Sequence, residues 1–116
     1  MPNATVVFAE VKAILDQTIA DWKLKNGSDP DLLGAHATNI FSWNTADELK
    51  NSTALGLQLI QLDVIGKNPK KGQKANLVIA LKTGVSPHPR MPAGGPFRTD
   101  GEIQVIIDWI DGGCKP

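Results

Sequence analysis

The segment from Thr99 to Gly113 constrains the fold of this chain more than any other. Thr99-Asp100-Gly101-Glu102 has the spacing of a capping box, in which the Thr99 hydroxyl accepts from the third helical amide and Glu102 reaches back to the cap. Ile103, Ile106, Ile107 and Ile110 then recur along one stripe with Val105 and Trp109 beside them, and Gly112-Gly113 ends the run. A helix carrying such a stripe must bury it against a second apolar surface. The other end of the chain supplies one: within Thr5–Leu24, Phe8, Val11, Leu15, Ile19 and Trp22 recur at helical intervals, while Glu10, Lys12, Asp16, Gln17 and Asp21 fall elsewhere. Asn26-Gly27 suits a left-handed helix end and Pro30 discourages continuation. The two terminal helices are therefore expected to dock, Phe8, Val11 and Leu15 against Ile106, Trp109 and Ile110.

Between them the signals are shorter. Residues 28–44 mix Ser, Asp, Pro, Gly and Asn with Leu32, Leu33, Ile40, Phe41 and Trp43, which predicts a structured loop that packs down. Thr45-Ala46-Asp47-Glu48 is another capping box and predicts a short helix over roughly 46–54. The stretch 57–81 admits two readings. Leu57-Gln58-Leu59 and Leu62-Asp63-Val64 alternate, and Lys67 to Gly72 could turn them into a β-hairpin with the apolar run Ala75–Leu81. Alternatively 57–65 is extended and 73–82 is a helix ended by Gly84, with Leu77, Val78 and Leu81 inward. Local pattern does not choose between them. Residues 85–97 carry Pro87, Pro89, Pro92, Pro96, Gly94 and Gly95 and read as an extended loop. The expected fold is a small all-α domain spanning 1–116 with long ordered loops, the alternative being α+β with a hairpin at 57–81.

Composition removes several function classes. Twelve basic residues balance twelve acidic ones, and the cluster Lys67, Lys70, Lys71, Lys74 has no aromatic residue interleaved, so no nucleic-acid partner is expected. Cys114 is the single cysteine, which excludes an internal disulfide and a cysteine-rich metal centre; near the C-terminus it reads as a surface thiol that could cross-link two copies. No apolar run is long enough for a membrane span and no leader pattern is visible, so the expected compartment is the cytoplasm unless a signal segment has been removed. The tripeptides Asn3-Ala4-Thr5, Asn26-Gly27-Ser28 and Asn51-Ser52-Thr53 match the glycan acceptor pattern by chance on that reading.

Met91-Pro92-Ala93-Gly94-Gly95-Pro96-Phe97-Arg98-Thr99, followed by Ile106-Ile107-Asp108-Trp109-Ile110-Asp111-Gly112-Gly113, resembles the C-terminal signature of small bacterial c-type cytochrome domains, and Phe8-x-x-Val11-x-x-Ile14-Leu15 resembles their opening. The resemblance implies a cytochrome c-like helical fold with Met91 at the place of the distal haem ligand. It also implies Cys-x-x-Cys-His at 19–23, where this chain has Ile19, Ala20, Asp21, Trp22 and Lys23. Neither a thioether bond nor the proximal ligand can form there. No cofactor and no metal are therefore expected, and Ile19 and Trp22 are bulky enough to fill part of the vacated space.

The leading expectation is a haem-free, non-enzymatic binding or interaction module. The alternatives are an electron-transfer protein holding haem non-covalently through Met91 with His36 or His88, and a small carbohydrate-binding protein using the loop around Trp43 and His36. The partner would be a protein or small ligand, a glycan included, and a homo-oligomer is compatible with the composition. Because the helical stripes and capping carboxylates are already committed, the candidate binding residues are His36, Asn39, Trp43, His88, Arg90 and Arg98, in the loops 34–44 and 85–98. The plainer reading of Met91 is adaptable core filler, and that of Trp43 a loop tryptophan folded onto the core, and both outweigh a binding role.

Overall fold

The computed structural model describes residues 6–85 and 88–116; Thr5, the tripeptide Asn3-Ala4-Thr5 and Pro87 lie outside the described residues. Helix α1 runs Phe8–Asn26, and the carboxylate of Glu10 accepts the Val7 amide at 3.1 Å to close its first turn. It ends where expected: Gly27 sits at φ 76°, the left-handed conformation that glycine adopts without a Cβ penalty. Helix α5, Asp100–Asp111, starts from the complete Thr99/Glu102 capping box. The two cross as the stripes require. Phe8, Val11, Leu15, Ile106, Trp109 and Ile110 are all buried, and the rings of Phe8 and Trp109 stand 5.5 Å apart at 48°.

The middle of the chain wraps this crossing. A single helical turn, α2 (Leu32–Ala35), interrupts the loop after α1, capped by Asp31, whose carboxylate accepts from the Gly34 amide. Helix α3 spans Ala46–Asn51 behind its Thr45 cap. It stops earlier than its pattern suggests because Ser52 is wholly buried and turns the chain: its hydroxyl donates towards the carbonyls of Ser42 and Glu48 and accepts from the Ser42 amide. Two short antiparallel strands follow, β1 (Thr53–Ala54) and β2 (Leu57–Gln58), with Thr53 opposite Gln58. This is the sheet among the described residues, and it lies at 53–58 rather than 57–81.

The ambiguous stretch resolves as an extended segment with a 3₁₀ turn at Leu62–Val64, another at Gly72–Lys74, and then helix α4 (Asn76–Lys82). The reason is visible at the start of α4, which has no cap of its own. The Leu59 carbonyl accepts the Leu77 amide at 2.7 Å and the Gln61 side chain accepts the Asn76 amide at 2.8 Å, so 59–61 satisfies helix-start donors instead of pairing as a strand. Gly72 then lies flat against α5: its amide donates to Asp111 at 2.8 Å, and a Cβ there would meet Asp111 Oδ1 at 2.6 Å and the Ile107 carbonyl at 2.8 Å. The fold is mostly helical with one small sheet, and no helix among the described residues is long and apolar enough to cross a membrane.

Trp109 is 1% exposed at the centre of the crossing, so Trp109→Ala is expected to lower unfolding free energy by roughly 3–5 kcal/mol, measured by urea denaturation. A loss under about 1 kcal/mol would mean the helices do not depend on this contact.

Candidate functional site

A cleft of about 350 Å³ opens between α1, α4, the loop around α2 and the proline-rich loop. Leu15 and Ile19 of α1, Leu77 and Leu81 of α4, Phe41 and Met91 all line it. Its walls are held by ties that a ligand need not supply. On the proline-rich side the Met91 amide donates to the Ala80 carbonyl at 2.8 Å, and Arg90 Nε donates to the Leu81 carbonyl at 2.8 Å while its guanidinium lies 4.3 Å over the Phe97 ring. From α1, the Trp22 indole donates to the Ala93 carbonyl at 3.1 Å and Lys25 donates to that of Gly94. Proline-rich backbone has few donors of its own, so other elements hold it through its carbonyls.

The opposite side is built on aromatic rings. His36 Nδ1 lies 2.6 Å from the Leu32 carbonyl. A carbonyl only accepts, so Nδ1 carries the proton and, in the neutral ring, Nε2 has the free lone pair. The imidazole stacks on Phe41 at 4.2 Å, Phe41 meets Trp43 edge-on at 5.7 Å, and the Trp43 indole donates to Asp16 of α1 at 2.8 Å. The Lys12 ammonium bound to Asp16, and the indole after it, hold that carboxyl below its ordinary range.

Of the residues the sequence nominated, His36, Trp43 and His88 line the cleft together with Met91, Ile19 and Trp22. Asn39, Arg90 and Arg98 do not. Asn39 is exposed outside the cleft, and Arg90 anchors the loop as described. Arg98 is buried and structural: its guanidinium pairs with Asp21 of α1 and, at 3.3 Å, with Glu102 of α5, while its carbonyl accepts from Arg90. Lys23 is exposed and pairs with Asp29 at 2.8 Å, away from the cleft wall. Ile19 and Trp22 line the space without closing it. Cys114 is not a surface thiol. It is 1% exposed within the core, its amide bonded to the Trp109 carbonyl, and burial pushes its thiol up to about 11. The lysines 67, 70 and 74 are exposed. No group of three His, Cys, Asp or Glu side chains able to hold a metal occurs among the described residues.

The nominations missed the hairpin tip, Leu55, and the α4 residues Leu77, Ala80 and Leu81, all of which line the cleft. Leu55-Gly56 lacks the Asn-Gly or Asp-Gly pattern that marks a tight hairpin in sequence, so the turn gave no signal. No protein-family model matches the chain, and neither the curated proteins nor the solved structures include a similar one.

Two outcomes follow from these environments. The Arg98 hydrogen bond holds Asp21 below its ordinary 3.8, and the Thr99 amide, then Arg98, holds Glu102 below 4.5. Both carboxyls thus ionise at lower pH folded than unfolded, so their stabilisation is complete above those ordinary values and is lost as pH falls through the lowered ones. Urea midpoints should therefore fall less steeply with acidification in Asp21→Asn than in the parent chain. For Cys114, a thiol raised to about 11 predicts that a thiol reagent at mildly alkaline pH labels the folded protein about 100-fold or more slower than the unfolded chain. Equal rates would place the thiol in solvent.

Proposed function

We propose that this chain is a non-enzymatic binding module on a cytochrome c-like helical scaffold, taking a small apolar ligand where the resembling family carries covalent haem. The observation that carries this is the cleft itself: about 350 Å³ with apolar walls, beside the α1–α5 crossing and the Met91 loop that the resemblance implies. Residues 19–23 offer no thiol and no imidazole to a haem, and Cys114 lies outside the cleft wall, so covalent attachment does not fit.

A second reading, non-covalent haem, is favoured by one observation: Met91, His36 and His88 line the same cleft, a thioether and imidazoles being suitable donors to iron. Bound there, a haem would supply one-electron chemistry. Against it, among the described residues neither a lysine nor an arginine lines the cleft to meet the propionates. Carbohydrate binding has less support, because the Trp43 indole N–H is committed to Asp16 and Trp43 packs on Phe41.

The test is a thermal-shift screen of small apolar molecules together with a haemin titration. A binder that raises Tm at one-to-one stoichiometry is expected, and Ala80→Phe, which pushes a ring into the cleft from α4, should abolish the shift while leaving the protein folded. Haemin should give no stable Soret band; a stoichiometric band lost in Met91→Ala would select the haem reading instead.

A further inference from the structure

We infer that the cleft selects an uncharged apolar molecule carrying one hydrogen-bond donor, gripped by Leu55 at the hairpin tip and by Nε2 of His36. The inference rests on reading the cleft as a ligand site and adds which ligands it admits.

Leu55 stands at the first position of a two-residue hairpin loop with φ 53°, followed by Gly56 at φ 80°. Both positions need the left-handed region, which an Asn-Gly pair enters easily and a leucine does not. The leucine side chain gains no core in return: it is 38% exposed and lines the cleft. A conformational cost and an exposed apolar side chain at one residue are both offset when an apolar ligand covers it. Leu55 is also tied to the polar side of the site, its amide donating to the His36 carbonyl at 2.7 Å. Ala37, the next residue, is left-handed too, at φ 47°, so both non-glycine outliers of this region flank His36.

Charge narrows the ligand further. Among the described residues Asp31 is the one carboxylate lining the cleft, its Oδ1 already accepting from Gly34, and no lysine or arginine lines it. An anion placed there would lose its water, find no cation and face a carboxylate. Of the other polar side chains on the lining, Thr18 already donates to the Ile14 carbonyl and Asn76 Nδ2 to that of Gln58, and no hydrogen bond among the described residues fixes Gln58 or His88, whereas the His36 ring is held by Leu32 and by its stacking on Phe41. Its Nδ1 proton is held by Leu32, and no group among the described residues bonds Nε2, so in the neutral ring it accepts from a ligand hydroxyl or N–H.

The experiment compares two fluorescent probes sharing one ring system, N-phenylnaphthylamine, neutral with a single N–H, and anilinonaphthalene sulfonate, which adds an anion. The neutral probe should bind one-to-one, about 10-fold or more tighter than the sulfonate. Leu55→Asn should weaken it about 10-fold by removing an apolar wall, while Tm stays level or rises because asparagine suits the turn. His36→Phe, which keeps a ring to stack on Phe41, should weaken it about 5-fold by removing the acceptor. Equal affinity for both probes overturns the charge selection. Unchanged binding in Leu55→Asn, or a lowered Tm, overturns the role of Leu55, and unchanged binding in His36→Phe overturns that of His36. If neither probe binds although the thermal-shift screen finds other ligands, this inference falls and the binding reading stands; if that screen is also blank, the binding reading itself falls.

Discussion

The crossing of the first and last helices is the constraint on which everything else hangs. Ile106 and Ile110 are wholly buried and Trp109 nearly so, and Phe8, Val11 and Leu15 are what they are buried against. Apolar burial is non-directional, yet the indole fixes the geometry: its ring meets Phe8 and its Nε1 donates to the Lys115 carbonyl at 2.7 Å. The end of α5 then becomes a dock for the middle of the chain. Gly66 donates to the Ile110 carbonyl at 3.0 Å and Gly72 to Asp111, which carries the 59–75 segment back across the bundle to the start of α4.

Arg98 extends that crossing into the loops. Its guanidinium bridges α1 and α5 through Asp21 and Glu102, and its carbonyl accepts from Arg90, which itself holds Leu81. A buried charge is tolerated because it is paired on two sides, and loss of one partner would leave the other uncompensated. Trp22 serves the same end by donating to the Ala93 carbonyl. Arg90, Arg98 and Trp22 are thus spent on holding the loops that wall the cleft.

That allocation shapes the chemistry. Arginine and asparagine in loops look like binding groups because loops often carry function, but here the arginines stabilise the loop and the aromatic row His36, Phe41, Trp43 faces the cleft. The side chains that line the cleft are mostly apolar, with the imidazoles of His36 and His88 among them.

The sequence by itself determined the elements whose signals are local. The capping box at Thr99, the stripes of α1 and α5, the stop at Gly27 and the short helix after Thr45 are all encoded within a few residues, because capping hydrogen bonds and helical periodicity act over one or two turns. Composition likewise excluded an internal disulfide. Tertiary structure alone decided the rest. Whether 57–81 pairs as strands or splits into an extended segment and a helix depended on Leu59 and Gln61 reaching the amides of α4, a partnership across chain separation that no window displays. Cys114 became a core residue because the chain turns back under Trp109, and Arg98 became an ion-pair hub because Asp21 lies beside it in space and far from it in sequence. The cleft followed the same rule. Its walls come from α1, α4, a hairpin and two loops, and a cavity is a property of how surfaces fail to meet, which only their arrangement in three dimensions can specify.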